Sequence, residues 1–554
     1  MDITEDKLNR KDWLQQWFYW LLGAGIIVNV LGLFTVILGP DGALYASIAK
    51  TIAQSGDFIN LKVQGVDWLD KPHFPFWITA ISFDIFGINT FAYKFPALLF
   101  WAMGLYYTYR LASSLYNPTV ARFSSLIYVT AAHLVISNND VRAEPFLVGL
   151  IAGSVFHFYR ASEKKISWHL LHGAVMAACA VMTKGPYVLL TIGGGFIVDW
   201  VIKRKWSEFI SVRWWLALLL VLVFIIPELY CLYIQFDLHP EKIVFGKTGV
   251  SGIRFFFWDS QFGRFFNTGP IKGQGDYFFY FHTLLWAFLP WSLLLVAALI
   301  WKFKRMKSRE INPEYILTGA ACLTFLLFSL SSFQLPHYIN ILFPFFSIIT
   351  AQYLLGITNS STVRLIKWVQ YVLSFSLIFV VVLLLLYFRP PGLYIALVCI
   401  AVMLLLVFLL FKKGSFSILF GYSFSTAIIL YGVLNVFFYP ALLKYQAGSE
   451  AAFYLNMFRS GNKVVQLYTG SYAFDFYTVP TVHYSDIEAF KKNNEPIILF
   501  AGSNTVDSLL HGGVKLTTLK EFPDFHISQL TLPFINYTSR PKVLQKAMLV
   551  TIEP

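Results

Sequence analysis

Three acidic residues lie at the edges of apolar runs, where a carboxylate could remove a proton from a bound hydroxyl group. Asp41 and Asp70 lie in the polar segment after the first run, and Glu144 begins a later run. Each has a simpler structural explanation when it is considered alone. Asp41 could cap a helix, Asp70 could form a surface ion pair, and Glu144 could favour the start of a helix. Only a cluster of such residues would therefore indicate catalysis.

Basic residues near the same boundaries could hold an anionic group such as a phosphate. Lys71 follows Asp70 directly, and Lys184 lies between two apolar runs, where an ionisable side chain is a functional candidate by default. Arg264 lies in a long loop that is rich in aromatic residues and glycine. A further polar turn, Gln334-Leu335-Pro336-His337-Tyr338, separates two later apolar runs.

Membrane-spanning helices must position these residues, because the chain is too apolar for a soluble protein. Of its 554 residues, 57% are hydrophobic and 13% are charged. The formal net charge of +13 does not indicate nucleic-acid binding, because Lys and Arg fall in short loops between apolar runs, where they orient a membrane protein. The four Cys residues lie in apolar segments and predict neither a metal site nor a disulfide framework.

The basic loops predict about thirteen membrane-spanning helices over residues 1–440. The N-terminus is expected in the cytoplasm, with the first apolar run retained as a signal anchor. Loops 39–90 and 236–280 then lie on the outer side, while segment 73–86 is too short to span and is expected to be interfacial or re-entrant. Residues 441–554 alternate short apolar runs with polar turns, which predicts a small α/β domain on the outer side.

This topology gathers the acidic and basic candidates at one membrane face. A channel would place charges along a bore, and a secondary transporter would place them near the midplane of the membrane. Here they collect beside an aromatic, glycine-rich loop. The arrangement favours an enzyme that acts on a lipid-borne substrate.

The polar segments contain short motifs in a fixed order. They are Asp41 with Tyr45-Ala46-Ser47-Ile48-Ala49, Ser55-Gly56-Asp57-Phe58, Asp70-Lys71-Pro72, Phe76-Trp77, Met182-Thr183-Lys184-Gly185, Gly263-Arg264-Phe265, Leu289-Pro290-Trp291 and Leu335-Pro336-His337-Tyr338. In this order they resemble the motifs of the lipid A aminoarabinose transferases (glycosyltransferase family 83), which have the GT-C fold. Protein O-mannosyltransferases are more distant relatives. The resemblance covers the membrane portion and is densest over residues 39–100.

The resemblance implies an α-helical polytopic protein of the bacterial inner membrane with a GT-C domain over 1–440 and a periplasmic α/β domain over 441–554. It implies transfer of a sugar, with inversion, from an undecaprenyl-phosphate donor on the periplasmic face. The acceptor could be lipid A, another envelope glycan or a protein, and a monomer is expected. Asp41 matches the general base, and the matches to donor-phosphate contacts are Lys71, Lys184, Arg264 and Tyr338.

The other substrate-site candidates are Trp68, Asp70, Glu144, Gln334 and His337. Asp70 and Glu144 match acidic positions that could orient the site or hold a divalent cation, and the metal is left unassigned.

Some positions depart from the family pattern. Gly42 stands where Glu is usual, Leu44 where Arg is usual, Gln334 where Lys is common, and Trp68 where a phosphate-contacting Tyr is found. The lost acid and cations could mean another donor sugar or a weaker hold on phosphate. Two alternatives to the transferase stay open. One is a lipid-linked glycan transporter, which would also bind a phospholipid head group, and the other is a non-catalytic binding subunit, which these departures keep open.

Overall fold

Helices form most of the chain, and a mixed β-sheet follows them. The structure is a computed structural model that describes residues 3–163, 167–308, 314–411, 415–458, 462–467, 470–486 and 496–553. The helices of the first half are α1 (Ile3–Leu31), α2 (Gly39–Ser55), α3 (Phe74–Phe86), α4 (Thr90–Leu115), α5 (Pro118–Thr130), α6 (Ala132–Asn139), α7 (Glu144–Ser162), α8 (Trp168–Lys184), α9 (Val188–Ile202), α10 (Val212–Phe224) and α11 (Ile226–Leu232).

The second half begins with two short helices in the long polar loop and continues with longer ones. Its helices are α12 (Gly252–Arg254), α13 (Phe262–Phe265), α14 (Phe279–Ala287), α15 (Ser292–Ser308), α16 (Ile316–Leu330), α17 (Phe343–Gly356), α18 (Ser360–Phe388), α19 (Leu393–Leu410), α20 (Ser415–Val433), α21 (Tyr439–Leu442), α22 (Ala447–Phe458), α23 (Tyr472–Tyr477), α24 (Ser503–His511) and α25 (Leu532–Ile535). A 3-10 helix, Pro336–Leu342, precedes α17.

Long apolar helices make this a multi-pass membrane protein. Within the described residues, 6 helices are long and apolar enough to cross a membrane, or up to 8 if two bent pairs each form one span. The bent pairs are α5 with α6, at 51°, and α14 with the following helix, at 120°. The predicted number of spans was larger, because it included shorter apolar helices such as α9 and α16, which have 15 residues each.

Helix α2 forms immediately after the first span. Pro40 lies in its first turn, where the missing N–H costs nothing, and Gly56 ends it with φ 69°. Its alanine-rich side is buried against α3 and α23, with Ala43, Ala46 and Ala49 fully covered. The helix is therefore held between the membrane portion and the C-terminal domain.

Polar contacts fix the C-terminal domain to α2. The ammonium of Lys50 donates to the carbonyl oxygens of Asp475, Phe476 and Thr478 at 2.7, 3.2 and 2.8 Å. The backbone N–H of Ile37 donates to the Tyr477 hydroxyl at 2.9 Å. These bonds hold α2 and the residues before it against the C-terminal domain.

The C-terminal domain contains a five-stranded sheet in the order β4-β3-β5-β7-β6. Strands β1 (Lys62–Val63) and β2 (Val66–Asp67) form a separate hairpin, and the sheet strands are β3 (Lys463–Leu467), β4 (Val482–Ser485), β5 (Ile497–Gly502), β6 (Leu516–Asp524) and β7 (Gln545–Ile552). β3 is parallel to β4 and β5, and β7 is antiparallel to β5 and β6.

Alternate residues of the strands pack on opposite faces, as the twofold period of a strand requires. Ile498 and Leu549 pack with α22 on one face, and Leu499 and Val550 pack with α24 on the other. The predicted small C-terminal α/β domain is confirmed.

Candidate functional site

A cavity of about 190 Å³ lies between α2, α7, α8 and the long polar loop. All the predicted site residues except Trp68 and Gln334 line it, namely Asp41, Asp70, Lys71, Glu144, Lys184, Arg264, His337 and Tyr338. Residues that are far apart in the sequence therefore meet in one cavity.

Asp41 lies in the first turn of α2, with its side chain 51% exposed. The helix N-terminus carries a partial positive charge, which favours a carboxylate at this place. Arg142 contacts the Asp41 Oδ2 atom through Nη1 at 2.7 Å. A half-exposed carboxylate that faces a cavity is accessible to a ligand.

Asp70 joins two cations on another wall of the cavity. The Lys71 Nζ atom lies 2.5 Å from Asp70 Oδ2, and an Arg264 guanidinium nitrogen contacts Asp70 Oδ1. Burial alone would raise the pKa of the Asp70 carboxyl, but Lys71 and Arg264 outweigh it and lower that pKa. Because two cations share one carboxylate, the trio has an excess positive charge that suits an anionic ligand.

A buried pair behind Lys71 anchors its segment. Glu228 accepts hydrogen bonds from the His73 backbone N–H and lies against His73 Nδ1, both at 3.0 Å. The other ring nitrogen of His73 lies 3.0 Å from the Ile59 carbonyl oxygen. These contacts fix the backbone immediately after Lys71 and so limit where its ammonium can reach.

A second ion pair, almost fully buried, also lines the cavity. Lys184, at the end of α8, contacts Glu144, at the beginning of α7, and their side chains are 5% and 2% exposed. The Lys184 ammonium also lies 3.6 Å from the centre of the Tyr338 ring, within the range of a cation–π contact. His337 is more distant, with Nε2 3.8 Å from Glu144 Oε1.

Trp68 and Gln334 are not among the residues that line the cavity. The Trp68 ring packs edge-on against Tyr45 and Phe76, with centroids 6.1 and 5.5 Å apart. The Gln334 amide donates to the Phe328 and Ser329 carbonyl oxygens at 3.1 and 3.2 Å. Both side chains stabilise the surrounding structure, Trp68 through apolar packing and Gln334 through bonds to helix-end carbonyls.

The acidic residues do not form a donor set that fits a divalent cation. Asp70 is already paired with two cations, and Glu144 is paired with Lys184. In the described parts of the chain, no group of three or more His, Cys, Asp or Glu residues could hold a metal ion.

Sequence reasoning missed Arg142 and Asp140. Arg142 lines the cavity, and its Nη2 atom lies 2.8 Å from Asp140 Oδ2 while Nη1 contacts Asp41. Burial would lower the pKa of Arg142, but the two carboxylates raise it, whereas burial raises the pKa of Asp140. Both residues belong to a polar run before Glu144 that is visible in the sequence. Spacing alone could not show that Arg142 in this run contacts Asp41.

An apolar cavity of about 390 Å³ adjoins the polar one. Lys184, Arg264 and Tyr338 line both cavities. The rest of the apolar lining is largely aromatic and aliphatic, and includes Tyr187, Leu190, Phe257, Phe262, Leu327 and Phe328. The two cavities together suit an amphipathic ligand with an anionic group at their junction.

The helix arrangement defines the class of fold. The structure superposes on the crystal structure of ArnT from Cupriavidus metallidurans bound to undecaprenyl phosphate, with a TM-score of 0.74, 16% identity, and coverage of 97% of this chain and 98% of that one. Its apo crystal structure gives a TM-score of 0.75 at 15% identity. The chain therefore has the GT-C fold, as the resemblance of its motifs implied.

Sequence comparisons identify more particular relatives. A family model described as dolichyl-phosphate-mannose-protein mannosyltransferase matches residues 70–231. An uncharacterized protein of Aquifex aeolicus is 26% identical over 352 residues, which cover 62% of this chain and 65% of the relative. The undecaprenyl phosphate-alpha-4-amino-4-deoxy-L-arabinose arabinosyl transferase of Edwardsiella ictaluri is 26% identical over 328 residues, which cover 58% of this chain and 56% of that protein.

Each of these two matches spans less than two thirds of the relative's own length. The chain is similar in fold and in sequence to the lipid A aminoarabinose transferases, and the predicted resemblance is confirmed.

Proposed function

We propose that this chain is a membrane glycosyltransferase that uses an undecaprenyl-phosphate-linked sugar as its donor. The observation that carries the proposal is the meeting of Asp41 with Lys71, Lys184 and Arg264 in one cavity that adjoins an apolar one. The names of the family model and of the curated relatives support the transferase class and a polyprenyl-phosphate donor.

The donor would lie across the junction of the two cavities. Its phosphate would contact Lys71, Arg264, Lys184 and Tyr338, and the beginning of its hydrocarbon chain would lie among the aromatic side chains of the apolar cavity. Charge-assisted hydrogen bonds to phosphate are among the strongest in proteins, and they strengthen as negative charge develops on a departing phosphate. The excess positive charge around Asp70 would thus favour cleavage.

Asp41 would act as the general base. Its carboxylate would take the proton of the acceptor hydroxyl as that oxygen forms a bond to the anomeric carbon and the bond from this carbon to the phosphate oxygen breaks. The lipid phosphate would leave with the electron pair of that bond. Because attack and departure occur on opposite faces of the sugar, the anomeric configuration is inverted.

The acceptor would approach from the side of Asp41, beneath the C-terminal domain. Under the positive-inside distribution of Lys and Arg this side is periplasmic, with the N-terminus in the cytoplasm and residues 441–554 outside. The acceptor would be a hydroxyl-bearing lipid A, other lipopolysaccharide or another envelope molecule. We propose that the chain acts as a monomer in the inner membrane.

The test uses the full chain in lipid nanodiscs with a synthetic polyprenyl-phosphate sugar labelled in the sugar. Release of free polyprenyl phosphate with transfer of the label to envelope glycolipids is expected. Asp41→Asn should reduce transfer by at least about 100-fold, since it removes a general base. The matched control is Asp84→Asn on the exposed side of α3, which should retain activity.

Full activity in the Asp41→Asn protein would remove this residue from the mechanism. In proteoliposomes, movement of uncleaved donor across the bilayer would replace the transferase with a lipid-linked glycan transporter. Donor binding with neither cleavage nor movement would indicate a non-catalytic binding subunit.

A further inference from the structure

Arg142 bridges two carboxylates at the Asp41 end of the cavity. Its Nη1 atom lies 2.7 Å from Asp41 Oδ2, while Nη2 and Nε lie 2.8 and 3.1 Å from Asp140 Oδ2. The side chains of Arg142 and Asp140 are 19% and 15% exposed, whereas that of Asp41 is half exposed. The bridge thus joins a buried anchor to an accessible carboxylate.

We infer that Arg142 is the positioning residue that orients Asp41 as the base, and that Asp140 fixes Arg142 in place. This inference rests on the proposed function and adds two residues to it. Arg142 acts through Asp41 and contacts neither the sugar nor its phosphate.

The local backbone makes this anchor rigid. Asp140 lies at the end of α6, where its N–H donates to the Ile136 carbonyl oxygen at 2.9 Å. The Tyr93 hydroxyl donates to the Val141 carbonyl oxygen at 2.9 Å and fixes the link between Asp140 and Arg142. Asp140 contacts the Nε and Nη2 atoms of Arg142. Because the guanidinium is planar and rigid, these two contacts fix the direction of Nη1, which faces Asp41.

The contact leaves Asp41 able to accept a proton. Arg142 pairs with the Oδ2 atom, and no other ion pair to the Asp41 carboxylate occurs in the described part of the chain. The Oδ1 atom is then available to an acceptor hydroxyl. A single fixed oxygen satisfies the geometric requirement of a general base, which must lie within hydrogen-bond reach of the proton that it takes.

The contact also separates the base from the donor cations. Lys71 and Arg264 line the same cavity as Asp41. An unrestrained Asp41 carboxylate would be attracted toward these cations and away from the place where an acceptor hydroxyl would meet it. Pairing with Arg142 opposes that displacement of the base.

The same arrangement lies beside the departures at Gly42 and Leu44. A Cβ atom at position 42 would lie 3.3 Å from Asp140 Oδ1 and 3.0 Å from Ile37 Cγ2, so Asp140 occupies the space that a longer side chain would need. Leu44 lines the same cavity as Arg142. Asp140 and Arg142 thus place an acid and a cation in the region of α2 where the usual acid and cation are missing.

The test measures kcat and the donor KM separately for Arg142→Ala, Arg142→Lys and Asp140→Asn in nanodiscs. Arg142→Ala should lower kcat by about 100-fold, because misplacement by about 1 Å costs a factor of this size. Its donor KM should stay within about twofold, since the donor cations are untouched. Arg142→Lys should recover little, because an ammonium cannot hold both carboxylates in a plane.

Two rescue experiments distinguish positioning from general damage. Added guanidinium ion should raise the kcat of Arg142→Ala by about tenfold, an effect that an altered fold would not show. The double variant Leu44→Arg with Arg142→Ala should also recover activity, because it places a cation in the same cavity on α2. Added sodium chloride at the same ionic strength is the control for the first rescue.

An unchanged kcat in Arg142→Ala, with an active wild-type protein and an inactive Asp41→Asn protein, would overturn the inference and leave the proposed function intact. A fall in kcat with an equal loss of donor affinity and no rescue would also overturn it. A wild-type protein that cleaves no donor would refute the proposed function itself, and the inference with it.

Discussion

Arg264 forms an ion pair with Asp70 across 194 positions of the chain. The contact ties the short helix α13, in the long polar loop, to the segment that precedes α3. Lys71 occupies the other oxygen of the same carboxylate at 2.5 Å. Asp70 therefore keeps two like charges side by side, where a bound phosphate could contact both.

Arg264→Lys should weaken donor binding although it preserves the charge. A guanidinium can contact Asp70 and a phosphate in defined directions, whereas an ammonium is a point charge on a flexible chain. We expect the donor KM to rise by about tenfold, which corresponds to about 1.4 kcal/mol of lost interaction. Initial rates at varied donor concentration measure this change.

Arg254→Lys is the matched control, because Arg254 lies in the same loop with its side chain 73% exposed. It should leave the donor KM unchanged. Equal effects of the two substitutions would contradict a specific role for Arg264.

The Asp70 ion pairs should make the stability of the protein fall in acid. The pKa of Asp70 is lowered in the folded protein because Lys71 and Arg264 outweigh the effect of burial. The resulting stabilisation is therefore present above the unfolded-state pKa of about 3.9 and is lost as the pH falls through the lower folded-state pKa. Thermal unfolding in detergent between pH 7 and pH 3 should show a smaller fall in Tm for Asp70→Asn than for the wild-type protein. Parallel falls would show that these pairs do not contribute.

The sequence predicted the fold class and most of the charged residues that line the cavity. Whether a residue could be predicted has a different physical reason in each case. Lys71, Lys184 and Arg264 stood out because an ionisable residue beside apolar spans needs a partner or a ligand. The bridge from Arg142 to Asp41 could not be predicted, because it depends on how the end of α6 packs against the beginning of α2. The Trp68 ring packs against Tyr45 and Phe76 and does not line the cavity. Spacing in the sequence does not reveal this packing.

Filling the apolar cavity should discriminate between donors by chain length. Leu327 lines this cavity, so Leu327→Trp should exclude part of a long hydrocarbon chain. We expect the KM of a long-chain polyprenyl donor to rise by about tenfold, while the KM of a donor with one or two isoprene units changes little. Rates with both donors measure the ratio.

Leu330→Trp is the control on the same helix, because Leu330 is 57% exposed and lies outside the lining of that cavity. It should affect neither donor. A loss of activity with both donors in Leu327→Trp would argue against the apolar cavity as the site of the lipid chain.

Lys184 and Glu144 should be coupled in their effect on the folding free energy. Lys184 should in addition be needed for transfer activity. Both side chains are almost fully buried, so Glu144→Leu or Lys184→Met leaves a buried charge without its partner and should cost about 3–5 kcal/mol of folding free energy. The double variant replaces both charges with apolar groups and should recover most of that loss, which thermal unfolding of the three proteins would show as a partial return of Tm.

The activity of the double variant should nevertheless stay low, because Lys184 also lines the junction of the two cavities, where the donor phosphate is proposed to bind. A double variant as unstable as the sum of the single variants would contradict the coupling, and full activity in it would remove Lys184 from the donor site.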